Sequence, residues 1–130
     1  MHTWLPLLNR RPKLLVVDDQ PTNIRVLHQL FREECDLFMA TNGEQALGQC
    51  RSQQPDLVLL DVIMDGLDGH EVCRRLKADP LTADIPVIFI TAQQQETDEE
   101  TGLTLGAVDF FSTPIYPAIV RARVRTHLTL

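Results

Sequence analysis

Several features that define common protein classes are missing from this chain of 130 residues. No apolar run approaches the roughly 20 residues that cross a bilayer, so the sequence predicts no transmembrane helix. In the first twelve residues the charge follows the apolar part, whereas a signal peptide carries its charge first. No G-x-G-x-x-G motif follows the first apolar run, which argues against a dinucleotide-binding site. The remaining composition, 44% hydrophobic and 23% charged, is that of an ordinary globular domain.

Cysteine is also scarce, and its spacing excludes the usual metal and disulfide patterns. The three cysteines are Cys35, Cys50 and Cys73, and no two of them form a C-x-x-C pair. A zinc site is therefore not expected. We interpret the three as small buried side chains in a reducing, cytoplasmic compartment.

Charge is unevenly distributed along the chain. Acidic residues outnumber basic residues by 18 to 12. Six of the basic residues lie near the ends: Arg10, Arg11, Lys13, Arg121, Arg123 and Arg125. All 18 acids lie between these two groups, alongside the other six basic residues. Such an acidic body argues against direct nucleic-acid binding and favours a site for a cation.

Short apolar runs alternate with longer amphipathic segments from residue 13 onward, which predicts alternating strands and helices. We predict strands at Lys13–Val17, Leu37–Thr41, Asp56–Asp61, Ile85–Ile90 and Ala107–Phe111. We predict helices from Pro21 to about Glu33, from Asn42 to before Pro55, from Asp68 to Asp79, from Thr97 to about Leu105, and from Pro117 onward. The fourth helix has a weak apolar face, so we expect it to be the most mobile.

This alternation predicts an α/β fold, a doubly wound parallel sheet with helices on both faces. At this length the usual solution is the flavodoxin-like (βα)5 arrangement with strand order 2-1-3-4-5. We assign residues 13–130 to this single domain and residues 1–12 to an N-terminal extension, in which Trp4 would pack on the domain or on a partner.

Asp61 is the residue around which a site is predicted to form. It follows the apolar run Leu57–Leu60, so its carboxylate would be held at the end of a buried strand. Asp18 and Asp19 follow the first apolar run, and the first strand neighbours the third in the predicted order. Three carboxylates would then meet at one sheet edge, where like charges about 4 Å apart repel by roughly 4 kcal/mol at an effective dielectric of 20.

Oxygen ligands of this kind favour a hard divalent cation, and Mg²⁺ commonly bridges a carboxylate to a phosphate. A carboxylate can also attack phosphorus and form an aspartyl phosphate. We therefore predict that Asp18, Asp19 and Asp61 bind Mg²⁺ and that Asp61 accepts a phosphoryl group. The hydroxyl of Thr91, at the end of the fourth strand, could donate to a phosphoryl oxygen. A helix-cap or turn role is the alternative for this threonine.

Together these features resemble the receiver domain of a two-component response regulator. The resemblance extends from about Lys13 to Leu130, and its motifs occur in order and at the family's spacing. They are Val16-Val17-Asp18-Asp19, Asp56-Leu57-Val58-Leu59-Leu60-Asp61, Asp68-Gly69, Pro86-Val87-Ile88-Phe89-Ile90-Thr91-Ala92, Gly106-Ala107 and Pro114.

The resemblance implies a phosphorylation-controlled signalling module and not an enzyme. Asp61 would be the phosphoacceptor, with a sensor histidine kinase or phosphotransfer protein as the donor. Asp19 and Asp61 would ligate Mg²⁺ directly, and Asp18 would assist through water. The backbone carbonyl of Ile63 would be a further ligand.

The resemblance also implies a switch. Thr91 would move toward the phosphoryl group, and the aromatic ring of Phe110 would swing inward behind it. The added charge would then be read out by the fourth helix and the fifth strand. The peptide bond Thr113-Pro114 would be cis, as at the matching position of the family.

The sequence departs from the family at two positions. Receivers usually carry a lysine before the fifth-strand proline, and here that residue is Thr113. A neutral hydroxyl cannot replace a charge-assisted contact to the phosphoryl group, so we expect phosphorylation or its coupling to the switch to be weakened. Asp65 occupies a position where proline is usual, which adds a fourth acid near the site.

The last helix raises two further questions. Arg121 and Arg125 lie one turn apart, either on a solvated face or on a homodimer surface formed by the last two helices and the fifth strand. In the second case they would pair with acids such as Asp98, Glu99 or Asp109 of another copy. The ending, residues 123–128, is similar to receivers that continue into an output domain, and such outputs include cyclic-dinucleotide signalling enzymes.

Two other functions stay open at this point. A degenerate receiver would act as an interaction module that is never phosphorylated, and Thr113 is the residue that favours it. An aspartate-nucleophile phosphohydrolase would carry a D-x-D motif at the first strand, whereas here the residues are Asp18-Asp19-Gln20. That class would also need a late-loop lysine, and the sequence lacks one there.

Overall fold

The strands of the chain form one parallel sheet. The computed structural model describes residues 10–91 and 96–129, with the backbone alone for residues 96–99. The strands are β1 (Lys13–Val17), β2 (Asp36–Ala40), β3 (Leu57–Leu60), β4 (Val87–Thr91) and β5 (Asp109–Ser112). Their order is β2-β1-β3-β4-β5, and all neighbours are parallel. The predicted flavodoxin-like order is confirmed.

A helix follows each strand. The helices are α1 (Pro21–Phe31), α2 (Gly43–Gln53), α3 (Gly69–Ala78), α4 (Glu96–Thr104) and α5 (Pro117–Thr129). The predicted strand and helix boundaries agree with these to within about two residues, a normal uncertainty for helix and strand ends.

The helix starts follow from local chemistry. Pro21 occupies the first turn of α1, where a missing N–H costs nothing. The side chains of Asn42 and Asp68 accept hydrogen bonds from the third residue of α2 and α3, at 2.9 Å each. The cap predicted for Thr97 at the start of α4 lies outside the described side chains.

Two hydrophobic clusters cover the two faces of the sheet. One contains Leu27 and Phe31 of α1 and Val120, Val124 and Leu128 of α5. The other contains residues of α2 and α3, such as Ala46, Cys50, Val72 and Leu76. Because β1, β3 and β4 are buried on both faces, their residues form near-continuous apolar runs.

The three cysteines are free and buried. Burial raises the pKa of Cys35 and Cys50 to about 12, so both are neutral thiols at physiological pH. The interpretation of these residues as small core side chains is confirmed. In the described part of the chain, no helix is long and apolar enough to cross a membrane.

Residues just before β1 contact the domain. Arg10 makes a bidentate ion pair with Asp56, with N···O distances of 2.8 and 2.9 Å. Arg11 pairs with Asp36 at 3.1 Å, and its guanidinium also donates to backbone carbonyls of residues 32, 33 and 35. The last part of the predicted extension is thus attached to the N-terminal end of the sheet. The position of Trp4 lies outside the described residues.

Candidate functional site

Asp61 lies immediately after β3, at the carboxyl end of the sheet. Its backbone N–H donates to the carbonyl of Val17 at 2.9 Å, which extends the ladder between β1 and β3 by one residue. Its side chain is 8% exposed, and one carboxylate oxygen accepts from the N–H of Ile63 at 3.3 Å. The carboxylate is therefore fixed by its strand and faces outward.

The loop after Asp61 returns tightly against it. The N–H of Gly69 donates to the carbonyl of Val62 at 2.8 Å. A Cβ atom at position 69 would lie 2.1 Å from the carbonyl oxygen of Asp61. Glycine at this position is thus required by close backbone approach, since any side chain would displace the backbone that carries Asp61.

Asp18 and Asp19 follow β1 at the same edge. Asp18 is 3% exposed, and its two oxygens accept from the N–H of Gln20 at 2.8 Å and from the side-chain amide of Asn23 at 3.1 Å. Oxygen atoms of Asp18, Asp19 and Asp61 all lie within 4.8 Å of one another. The structure therefore brings together the three carboxylates that the sequence predicted to meet.

Crowding and burial perturb the acidity of this cluster. Burial raises the pKa of Asp61 from 3.8 to about 7, and the charge of Asp18 adds to the increase. Burial likewise raises the pKa of Asp18, although the hydrogen bonds from Gln20 and Asn23 oppose the change. Carboxylates held this close are stable only when a cation binds between them or when one of them takes up a proton.

Thr91, the last residue of β4, lies beside this cluster. It is 1% exposed, and its hydroxyl oxygen has no hydrogen-bond partner among the residues that the structure describes. The hydroxyl lowers the pKa of Asp61, although the contact falls short of hydrogen-bond geometry. A buried polar atom without a partner is uncommon and indicates that something binds there.

Asp19, Asp61 and Thr91 line an open cleft of about 580 Å³. Its walls are Asp19, Gln20, Thr22, Asn23, Asp61, Ile63, Asp65, Thr91 and Thr113. Thr113 is next to Thr91, because its N–H donates to the Thr91 carbonyl at 2.8 Å. The peptide bond between Thr113 and Pro114 is cis, as predicted.

The aromatic pair of β5 alternates between the faces of the sheet. Phe110 is 7% exposed and its ring lies 5.9 Å from that of Phe89. Phe111 packs on the opposite cluster, under the guanidinium of Arg123 at 5.2 Å. Phe110 is therefore the one that lies on the α4 side, near Gly102, and its ring points inward.

The donor set fits a hard divalent cation. Oxygens of the three aspartates converge within 4.8 Å. Carboxylate oxygens are the ligands that Mg²⁺ prefers, and this ion tolerates few protein ligands because it keeps several waters. The backbone of Ile63 borders the same cleft, so its carbonyl stays a predicted fourth ligand.

The arginines of α5 have partners within the chain. Arg125 pairs with Glu34 at 3.5 Å, and Arg121 donates to the carbonyl of Leu30 at 3.4 Å. Asp109 is bound by Arg123 and His127, at 3.2 Å each. Of the acids considered as dimer partners, Asp109 is therefore engaged within its own chain. The side chains of Asp98 and Glu99 lie outside the described part of the structure.

The fold and this site define a receiver. Residues 14–125 match the family model described as response regulator receiver domain. The chain therefore belongs to the receiver domains of response regulators, which are regulatory modules of two-component signal transduction.

Two curated proteins are similar to this chain over most of its length. The chain is 44% identical over 115 residues to response regulator PleD of Caulobacter vibrioides, covering 88% of this chain and 25% of that protein. It is 39% identical to a Vibrio cholerae protein named "probable cyclic di-GMP phosphodiesterase", over 88% of this chain and 26% of that protein. It thus spans about a quarter of each.

A solved structure shows the same fold. The BeF3-activated receiver domain of RstA from Klebsiella pneumoniae superposes with a TM-score of 0.83 at 28% identity. The match covers 91% of this chain and 99% of that one.

Three features of the site were not predicted from the sequence. Gln20 and Asn23 hold Asp18, and the signal for them is their position two and five residues after it, across a helix start. The close approach at Gly69 depends on where the loop after Asp61 returns, which composition alone does not indicate. Thr22 also lines the cleft and carried no recognisable signal.

Proposed function

We propose that this domain accepts a phosphoryl group on Asp61 and responds by changing a surface that a partner contacts. The observation that supports the proposal is the group of side chains at the carboxyl end of the sheet. There the Asp61 carboxylate lies within 4.8 Å of two others, beside a buried hydroxyl that has no partner in the described part of the chain. A phosphoryl group would satisfy that hydroxyl, and a cation would compensate the carboxylates.

The donor would be a phosphohistidine of a kinase or phosphotransfer protein. An oxygen of ionised Asp61 attacks phosphorus and forms the new P–O bond. The P–N bond breaks, and its electron pair returns to the imidazole nitrogen, which takes a proton from solvent. Asp61 supplies the nucleophile, and Thr91 donates its O–H to an oxygen of the transferred group.

Asp18, Asp19, Asp61 and the carbonyl of Ile63 would hold Mg²⁺. When bound, this ion stabilises the negative charge on the carboxylates and on the incoming phosphoryl oxygens. Asp18 is positioned for this role by Gln20 and Asn23, which leave its oxygens fixed before any ligand arrives.

Phe110 and α4 are the proposed readout. Gly102 of α4 lies on Phe89, with a Cβ position only 2.8 Å from the Phe89 ring, and Phe110 packs against the same ring. Movement of Thr91 toward a phosphoryl group would therefore change the packing of Phe89, Phe110 and α4 against one another. The proposed partners are an output domain, or a second copy of this chain bound through α4, β5 and α5.

Intact mass spectrometry tests the phosphoacceptor directly. Incubation with Mg²⁺ and a small acyl phosphate should add the mass of one phosphoryl group. The gain should be lost in Asp61→Asn and kept in Asp84→Asn, which changes an exposed aspartate ahead of β4. A wild-type domain that gains no mass would instead support the degenerate receiver, for which Thr113 is the supporting residue.

A further inference from the structure

The cleft carries an excess of negative charge. Its walls include the carboxylates of Asp19, Asp61 and Asp65, and Asp18 lies directly behind them. Among the described residues that line it there is no lysine, arginine or histidine. Thr113, which directly follows β5 and whose N–H donates to the Thr91 carbonyl, brings only a neutral hydroxyl to this side of the cleft.

No lysine elsewhere in the chain supplies the missing charge. The sequence contains two lysines, Lys13 and Lys77. The ammonium of Lys13 donates to the carbonyl of Gln53 at 3.1 Å, at the other end of the sheet. That of Lys77 donates to the carbonyls of Ala83 and Ile85, at 3.1 and 2.6 Å. Both ammonium groups are therefore hydrogen-bonded to backbone carbonyls far from the cleft.

An arginine lies nearby but borders a different groove. Arg25 of α1 lines a groove of about 390 Å³ together with Ile24, His28 and Met39. Asp19 borders both this groove and the cleft, whereas Thr91 and Thr113 border the cleft alone. Arg25 is therefore not placed to contact a group bound on Asp61 from the Thr113 side.

Phosphorylation increases the imbalance. A phosphoryl group carries about −1.5 to −2 charges near neutral pH. With Asp18, Asp19 and Asp65 ionised, one divalent cation would leave a substantial negative charge in the cleft. The buried hydroxyl of Thr91 has no hydrogen-bond partner among the described residues and borders the same space, which indicates that a ligand binds on this side of Asp61.

We propose that the phosphorylated cleft takes up a second hard divalent cation on its Thr113 side. The Asp65 carboxylate, the Thr113 hydroxyl and a phosphoryl oxygen would be its ligands, together with water. The inference rests on the proposed phosphorylation of Asp61 and adds to it a requirement for metal that the first site does not explain. Two-metal arrangements stabilise transferring phosphoryl groups in this manner.

Mg²⁺ suits these ligands better than a soft or strongly coordinating ion. All of the donors are oxygens, and two of them belong to the protein. Because Mg²⁺ retains several waters and bridges carboxylates to phosphates, a sparse site with one carboxylate is sufficient when the phosphoryl group is present. Without that group we expect the second ion to bind weakly.

Linkage between metal and a phosphoryl mimic tests the proposal. The affinity of the domain for beryllofluoride would be measured by calorimetry at rising free Mg²⁺, starting where the first site is already saturated. For the wild type, the association constant should rise about tenfold for each tenfold increase in Mg²⁺, since one more ion binds with the mimic. In Thr113→Lys it should stay constant, because the ammonium replaces the ion.

Three variants make the outcome specific. Asp65→Asn should flatten the dependence as well, by removing the only carboxylate of the second site. Thr41→Lys adds the same charge at the end of β2, beside the neighbouring groove, and should keep the wild-type slope. Arg25→Gln should also keep that slope.

The possible results separate the two proposals. A wild-type affinity that does not change with Mg²⁺ above saturation of the first site overturns the second cation and leaves phosphorylation intact. A domain that binds no beryllofluoride at any Mg²⁺ concentration overturns both. First-site Mg²⁺ binding by Thr113→Lys in the absence of beryllofluoride shows that this variant is folded.

Discussion

Replacing Asp61 by asparagine should stabilise the metal-free domain, even though it removes the residue on which function depends. The substitution keeps the size and shape of the side chain and removes its charge. Burial and the charge of Asp18 raise the pKa of Asp61 from 3.8 to about 7. A carboxyl whose pKa is higher in the folded state than in the unfolded state weakens folding whenever it is ionised.

The size of the effect follows from that pKa. Each pKa unit corresponds to about 1.36 kcal/mol, so ionisation of Asp61 at pH 8 costs roughly 4 kcal/mol of the free energy of unfolding. Water in the open cleft screens part of this charge, and we expect Asp61→Asn to gain about 2–4 kcal/mol at pH 8.

The sign of the pH dependence is fixed by the same shift. Below the unfolded-state pKa, near 4, Asp61 is protonated in both states and the penalty is absent. The penalty grows as pH rises and is complete above the folded-state pKa of about 7. At pH 5 it should be less than half of its value at pH 8, on the order of 1–2 kcal/mol.

Urea denaturation in the presence of a chelator measures this directly. Wild type, Asp61→Asn and the exposed-site control Asp84→Asn would be compared at pH 5 and pH 8. Saturating Mg²⁺ should narrow the gap by stabilising the wild type. If Asp61→Asn were less stable than the wild type at pH 8, or if its advantage were equal at both pH values, the account of a strained acidic cluster would be wrong.

Three further substitutions have clear expectations. Gly69→Ala should cost about 3 kcal/mol or more in urea unfolding and impair phosphorylation, because its Cβ meets the Asp61 backbone, whereas Gly48→Ala, in open space on α2, should be neutral or stabilising. Asp68→Ala should lower thermal stability by about 1 kcal/mol, since it removes the cap of α3. At Mg²⁺ concentrations that fill only the first site, Thr113→Lys should speed phosphorylation by acyl phosphate about tenfold or more, as a charge-assisted contact is worth about 1.5–3 kcal/mol; an unchanged rate there would contradict the importance assigned to this position.

Most of the sheet could be predicted because its strands are buried on both faces. Runs such as Leu14–Val17 and Leu57–Leu60 are continuous and apolar, and they end in acids that the strand order brings together. The ends of the strands were predicted less precisely. The segment from Ile85 to Pro86 reads as strand by composition, yet the ladder of β4 begins at Val87, opposite Val58.

The site was predictable where it depends on strand ends and less so where it depends on loops. Asp18 and Asp61 follow apolar runs, so topology alone placed them together. The hydrogen bond from Asn23 to Asp18 and the return of the loop at Gly69 depend on three-dimensional paths that periodicity does not encode. The same holds for the partners of Arg125 and Arg121, which are Glu34, just after α1, and the carbonyl of Leu30, within α1.

The Asp109 carboxylate links β5 to α5. One of its oxygens accepts from the N–H of Phe110 and from Arg123, and the other contacts His127. Arg123 also covers the ring of Phe111. A shift of the strand that carries Phe110 would therefore act on α5 at two places, the middle of the helix at Arg123 and its final turn at His127.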